Sequence, residues 1–281
     1  MGQEQSVQQT FFNLKVVSAA EGKLLLDEAE TIDNYRAFIE NSEIEKKARH
    51  NHNYFPLADS QYNKDDVQKW LTDFVGELGA SHDFSWIVRF LSKYDATVYI
   101  VNLQFSADGG MPHTRPLKGD NRGLICFPGG LRGTDWEKTT LIHELIHIVQ
   151  RLNQPIWNKI YEKNWQMRPY NGKIPNKYEL AVRYNPDTIM AGVLYIYKNK
   201  WVPIIIYTDI TRPDIHQTML VYYNSHTGVV WDELPDELGN DIIFGDRRII
   251  SPMREHPNEL LAWLFSNPNK YKDFPFYPNI N

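Results

Sequence analysis

Thr134-Asp135-Trp136-Glu137 opens a stretch that runs through His143-Glu144-Leu145-Ile146-His147 and closes near Leu152. It reads as one helix, Asp135–Leu152. Thr134 and Glu137 make the Thr-x-x-Glu pattern of a capping box, which satisfies the first free amides of a helix. Leu141, Leu145, Ile148 and Leu152 form one apolar stripe, and Ile142, Ile146 and Val149 a second beside it. A helix apolar over most of its circumference is a buried helix. Two histidines and a glutamate on it need partners, because each unpaired buried polar group costs about 1–3 kcal/mol.

The spacing H-E-x-x-H says what that partner can be. Residues four apart share a helix face, so His143 and His147 can reach one ion. Glu144 sits about 100° around the helix and can touch a bound water rather than the ion. The expected centre is one Zn²⁺ per chain, held by His143, His147 and a third ligand, with one position left open. Glu144 is the expected general base: it takes a proton as the activated water attacks a carbonyl, then returns one to the leaving amine. The competing reading is a pair of hydrogen-bonded core histidines.

Outward from this helix the pattern is α+β. Helical spacing covers Ala20–Arg49, Asp65–Leu78 and Phe84–Tyr94, with a loop from His50 to Lys64. This predicts a mainly helical region over 1–95 and a second region over 96–281 built on a mixed sheet. Strands are expected at Thr97–Val101 and Gly123–Phe127, with a long loop over Ser106–Arg122 between them. After a short helix at Ile156–Trp165, strands follow at Met190–Tyr197, Trp201–Tyr207 and Met219–Tyr223. Shorter strand candidates are Gly228–Trp231 and Asp241–Phe244. Lys198-Asn199-Lys200 reads as a hairpin loop in which Asn199 takes a positive φ. Pro257–Phe265 is the last helix.

Composition sets limits on partners. The 281 residues are 42% hydrophobic and 23% charged, ordinary for a globular chain. Lys and Arg number 30 against 35 Asp and Glu, a net charge of −5 that argues against nucleic acid as a partner. A single cysteine, Cys126, excludes an intrachain disulfide, suits a cytoplasmic setting, and reads as a buried structural thiol. No run reaches the roughly 18 apolar residues of a membrane span. Met1-Gly2-Gln3-Glu4-Gln5-Ser6 fits the myristoylation pattern, which would give Gly2 a weak, reversible membrane anchor.

The motif helix, the strand before it and one later helix resemble the zincin metallopeptidases. That resemblance implies a zinc-dependent hydrolase acting on a peptide or protein substrate. It also implies that Gly123–Phe127 lies at the sheet edge and pairs with extended substrate. The metzincin pattern would need Gly and His where this chain has Gln150 and Asn153, and a histidine four residues past the motif would fall on Arg151. A glutamate from a later helix, as in gluzincins, remains. His256-Pro257-Asn258-Glu259-Leu260-Leu261-Ala262 resembles the gluzincin ligand helix, often Asn-Glu-x-x-Ala. Pro257 suits the first helical position, and the apolar run Leu260–Phe265 draws Glu259 inward. Glu259 is therefore the expected third ligand. Glu179 is the rival, 32 residues after His147 and closer to the usual gluzincin spacing. Arg183, four residues on, offers Glu179 an ordinary ion-pair partner. Tyr178, Tyr184, His216 and His226 are eligible to stabilise an oxyanion, while His113 and His256 have no assigned role. The alternative to an enzyme is a non-catalytic zincin-like scaffold at a membrane surface.

Overall fold

The computed structural model of the chain describes residues 12–49, 53–188, 194–272 and 274. The Gly2 motif, the start of the strand expected from Met190 and the tail from Pro275 lie outside them. In chain order the elements are β1 (Asn13–Val16), α1 (Ala19–Asp33), α2 (Tyr35–Asn41), α3 (Glu43–Arg49), α4 (Lys64–Ala80), α5 (Ser85–Lys93), β2 (Thr97–Leu103), β3 (His113–Pro116) and β4 (Arg122–Pro128). There follow α6 (Asp135–Leu152), α7 (Gln154–Trp165), β5 (Met167–Pro169), α8 (Asn176–Glu179), β6 (Tyr195–Tyr197), β7 (Trp201–Tyr207), β8 (Thr218–Asn224), β9 (Val230–Trp231), α9 (Ser251–Glu255), α10 (Pro257–Ser266) and α11 (Pro268–Tyr271). No helix among the described residues is long and apolar enough to cross a membrane.

The fold is α+β. Its first sheet has the order β1-β2-β4-β3, with β1, β2 and β4 parallel and β3 antiparallel. Alternation along the strands sends Leu14, Val16, Val98, Ile100, Ile125 and Phe127 to one face, where they join the apolar sides of α4, α5 and α6. Val101, Leu103, Leu124 and Cys126 pack on the other face with Leu25, Leu26 and Ala29 of α1 and Tyr35 and Ile39 of α2. A sheet covered on both faces reads as near-continuous apolar runs, which is how β2 and β4 read. The second sheet is an antiparallel meander, β5-β6-β7-β8-β9. Its β6–β7 hairpin turns through Lys198 and Asn199, both at positive φ, as expected for Asn199.

Several boundaries differ from the sequence reading. Ala20–Arg49 is three helices rather than one. Asn34 adopts a left-handed conformation at φ 53° and caps α1, a role its short polar side chain tolerates. Residues 13–16 form β1, whose hydrogen bonds to β2 run across the 95/96 boundary. Four residues give too short an alternation to register as a strand. Ser106–Arg122 is not all loop, because His113–Pro116 pairs with β4. That pairing places β4 inside the sheet, with β3 at the edge in its stead. Asp241–Phe244 is a turn, in which the Asp241 carboxylate accepts from the amides of Ile243 and Phe244. Such side-chain turns compete with strand pairing.

Both outer edges of the first sheet are met by side chains. The Gln68 amide on α4 accepts from Val16 N and donates to Leu14 O of β1. Asp187 Oδ1 accepts from the amide and hydroxyl of Thr114 on β3. On the inner face α6 lies close to the sheet at Gly123, where a Cβ would stand 2.7 Å from Ile148 Cγ2. Gly123→Val should therefore force helix and sheet apart and destabilise the fold by about 1–3 kcal/mol. Chemical denaturation of the variant and parent chains measures this, and an unchanged midpoint would show that the close approach is not needed.

Candidate metal centre

The capping box forms as the sequence implies. Glu137 accepts from the amides of Gly133 and Thr134, each at 2.8 Å, and so fixes where α6 begins. One turn apart on α6, His143 and His147 face each other with their Nε2 atoms 3.0 Å apart. α10 crosses α6 and presents Glu259 to both. Glu259 Oε2 lies 3.4 Å from His143 Nε2, and Oε1 3.5 Å from His147 Nε2. The chain thus brings together the two motif histidines and the later glutamate. His147, Glu144 and Glu259 are buried and His143 partly so.

The neighbours fix these side chains. Gln150 Nε2 donates to Tyr161 OH and to Asn258 O, both at 3.0 Å. Its Oε1 is left to face His147 Nδ1 at 2.8 Å. His147 Nδ1 therefore carries the proton, and its Nε2 lone pair points at the cluster. Burial pushes the His147 pKa down, which favours the neutral imidazole that can act as a ligand. His256 caps α10 by accepting from Asn258 N at its Nδ1. Asn185 Nδ2 donates to Glu259 Oε1 at 2.8 Å and to Glu255 Oε1 at 3.0 Å. Glu255 is gripped in turn by Arg183 Nη2, at 2.6 and 2.8 Å. Glu144 is 3% exposed, and its Oε2 has no hydrogen-bond partner among the described residues. Burial, then the carboxylates of Asp187 and Glu259, push its pKa well above the ordinary range.

The cluster opens into a cleft of about 330 Å³. Thr139, Thr140 and His143 of α6 form one side, and Arg183–Asp187 another. Behind the cleft stands a buried polar wall. Arg49, at the end of α3, pairs with Asp108 at 2.7 Å and with Glu45, and donates to the Tyr184 carbonyl. Asp108 also faces His113 Nδ1 at 3.3 Å, and His113 Nε2 meets Tyr54 OH at 2.7 Å. Arg115 joins Tyr54 to Asp33 and Glu30.

Of the residues considered as oxyanion stabilisers, Tyr184 lines the cleft, while Tyr178, His216 and His226 are not among its lining residues. His113 lines it with both ring nitrogens engaged. Glu179 lies exposed on α8, away from the cluster, and Arg183 pairs with Glu255 instead. Cys126 is buried on β4, 3.5 Å from Tyr54 OH. Sequence reasoning missed Asn185, Glu255, Arg49, Asp108 and Asp187 and gave Arg183 another partner, because the contacts that bring them to the site span dozens of residues. Gln150 was legible in principle, three residues from His147 on the same helix. Comparison with known proteins finds no matching family model, no matching characterised protein and no matching solved structure.

The wall carries a pH dependence. Burial opposes charge on His113, but Cys126 and Asp108 outweigh it and hold its pKa up to about 9, against 6.5 for a free imidazole. A group whose pKa rises on folding stabilises the fold fully below its unfolded value, and the effect fades as pH passes its folded value. Thermal stability should therefore fall between about pH 6.5 and pH 9, and the fall should be shallower in His113→Gln. Melting curves across that window test this, and equal slopes in the two proteins would remove His113 from the explanation.

Proposed function

We propose that this chain is a zinc-dependent peptidase of the gluzincin kind, with His143, His147 and Glu259 as metal ligands and Glu144 as general base. The observation that carries the proposal is the convergence of these two imidazoles and this carboxylate from helices more than a hundred residues apart. Three donors bound about 2.0–2.2 Å from a tetrahedral ion stand roughly 3.3–3.5 Å from one another. The two imidazole–carboxylate separations, 3.4 and 3.5 Å to the two oxygens of Glu259, fall in that range, and the two imidazole nitrogens stand closer, at 3.0 Å. The unpartnered Glu144 Oε2 beside the cluster is the second point of fit.

When bound, zinc supplies Lewis acidity at the inner end of the cleft. The chain's own residues do the rest. Glu144 takes a proton at its free Oε2 from the attacking water and delivers one to the departing amine. A dication next to Glu144 favours its carboxylate form, offsetting the effect of burial. Gln150 holds the His147 ring in its productive tautomer, and Asn185 orients Glu259. Such supporting contacts commonly govern metal affinity by about 10–100-fold.

Purified protein should hold about one zinc per chain, cleave a mixed peptide library and lose both properties on chelation. Glu144→Gln should keep the metal and lose about 10²–10⁴-fold in turnover. Near-normal turnover by that variant would exclude Glu144 as the base, and full metal content with no cleavage by the parent would favour a scaffold. Glu259→Ala should weaken zinc binding by more than about 100-fold, while Glu179→Ala leaves it intact. Competition with a chromogenic chelator measures both, and the reverse order would reassign the third ligand.

A further inference from the structure

The charged side chains that line the cleft pair off one by one, with a single remainder. Arg49 meets one oxygen of Asp108 at 2.7 Å, and His113 stands 3.3 Å from the other. Arg183 is held by Glu255, and Glu259 belongs to the metal cluster. Glu144 is the base of the proposed reaction. Asp187 is left. It lines the same cleft, and among the described residues no cation stands within ion-pair distance of its carboxylate.

Asp187 is nonetheless firmly placed. Its Oδ1 accepts from the amide of Thr114 at 2.6 Å and from the Thr114 hydroxyl at 2.7 Å. Its Oδ2 makes no hydrogen bond among the described residues. The Asp187 amide donates to Asn185 Oδ1 at 3.0 Å, while Asn185 Nδ2 donates to Glu259 Oε1 at 2.8 Å. One planar side-chain amide thus ties Asp187 to a ligand of the cluster, which keeps Asp187 N within about 8 Å of Glu259 Oε1. After burial, the Asp187 carboxylate does more than Glu259 to raise the Glu144 pKa, as expected of a charge beside the cluster. Arg151 reaches the same segment, but its Nη2 bonds the Thr114 hydroxyl and the carbonyls of Pro186 and Asp187, not the carboxylate. Arg151 is also not among the lining residues of the cleft. A substrate that fills the cleft expels water from this carboxylate, and a desolvated charge without a partner is costly.

Resting on the peptidase reading, we propose that Asp187 Oδ2 receives an ammonium group of the substrate close to the bond held at the cluster. A polypeptide offers that chemistry at its free amino end and on its lysine side chains. At about 3.3 Å per extended residue, an amino end one or two residues from the bond covers the distance, as does a lysine beside the bond. The pair is charge-assisted and so stronger than a neutral hydrogen bond. It also makes the cleft reject peptides that would close over Asp187 without a cation.

The test uses an alanine pentapeptide with fluorescein at its C-terminal end, in three forms: free amino end, acetylated, and acetylated with one lysine at each position in turn. Binding to the zinc-loaded Glu144→Gln chain is followed by anisotropy. An ammonium-bearing form should bind about 10–100-fold more tightly than the acetylated alanine peptide. A gain with the free amino end assigns the α-ammonium, and a gain only with lysine assigns the side chain. Adding Asp187→Asn should erase the gain while keeping an acceptor for Thr114, whereas Asp187→Glu, which keeps the charge, should retain most of it. Equal binding of all forms by the Glu144→Gln chain, no binding, or a gain that survives Asp187→Asn would overturn the assignment. Tighter binding with aspartate in place of lysine would also overturn it, giving the cleft to carboxylates through Arg183. An Asp187-dependent gain in a protein whose parent chain cleaves nothing would keep the ammonium site and sink the peptidase reading. Cleavage without any such gain would do the reverse.

Discussion

Everything at the centre depends on the crossing of α6 and α10. Leu145, Ile148 and Val149 of α6 and Leu260, Leu261 and Ala262 of α10 belong to one apolar core. Within that contact the chain buries one imidazole and two carboxylates and partly buries a second imidazole, groups that cost several kcal/mol when left unpaired. The amide of Gln150 relieves part of this cost by bridging His147 to the first turn of α10 through Asn258. One side chain thereby sets a tautomer and the position of one helix against another. Moving α10 by a fraction of a turn would break that bridge and withdraw Glu259 from the histidines.

The segment Arg183–Asp187 is the second organiser, although it contains no regular element longer than one turn. Glu45 accepts from Tyr184 N, and Arg49 donates to Tyr184 O, so α3 grips its backbone from one side. Arg183 and Asn185 grip α9 and α10 from the other through Glu255 and Glu259. This loop joins α3 to α9 and α10. Its polar contacts are partly buried, where hydrogen bonds are stronger and more sensitive to a missing partner than at the open surface. A rigid loop of this kind positions functional groups more exactly than its lack of secondary structure suggests.

What could be read in the sequence was whatever depends on local periodicity. The helix Asp135–Leu152, its capping box, the strands around Val98, Ile125 and Ile205, and the turn at Asn199 all follow from neighbours within a few residues. The buried, helical placement of Glu259 was accessible because Pro257 and the apolar run after it show both a helix start and a buried face. The edge position of β3 was not, because His113–Pro116 has a proline before it, another as its last residue, and no alternation. Its strand character comes from pairing with β4, a tertiary fact. Arg49 and Asp108 pair across 59 residues, and Asn185 reaches Glu259 across 74. No spacing rule reports contacts of that range. The left-handed Asn34 lay inside an unbroken helical pattern, where a single asparagine does not stand out as a stop.

The two side chains that meet the outer strands of the first sheet have a consequence for the chain in company. An open strand edge is a template on which another copy can add a strand. At β1 the Gln68 amide already fills the outward-facing donor of Val16 and acceptor of Leu14, and at β3 Asp187 fills the donor of Thr114. Pro112 and Pro116 on either side of that donor contribute no amide hydrogens at all. The sheet is thus finite by design, and crowding many copies together offers it little opportunity to grow into an aggregate through its edges.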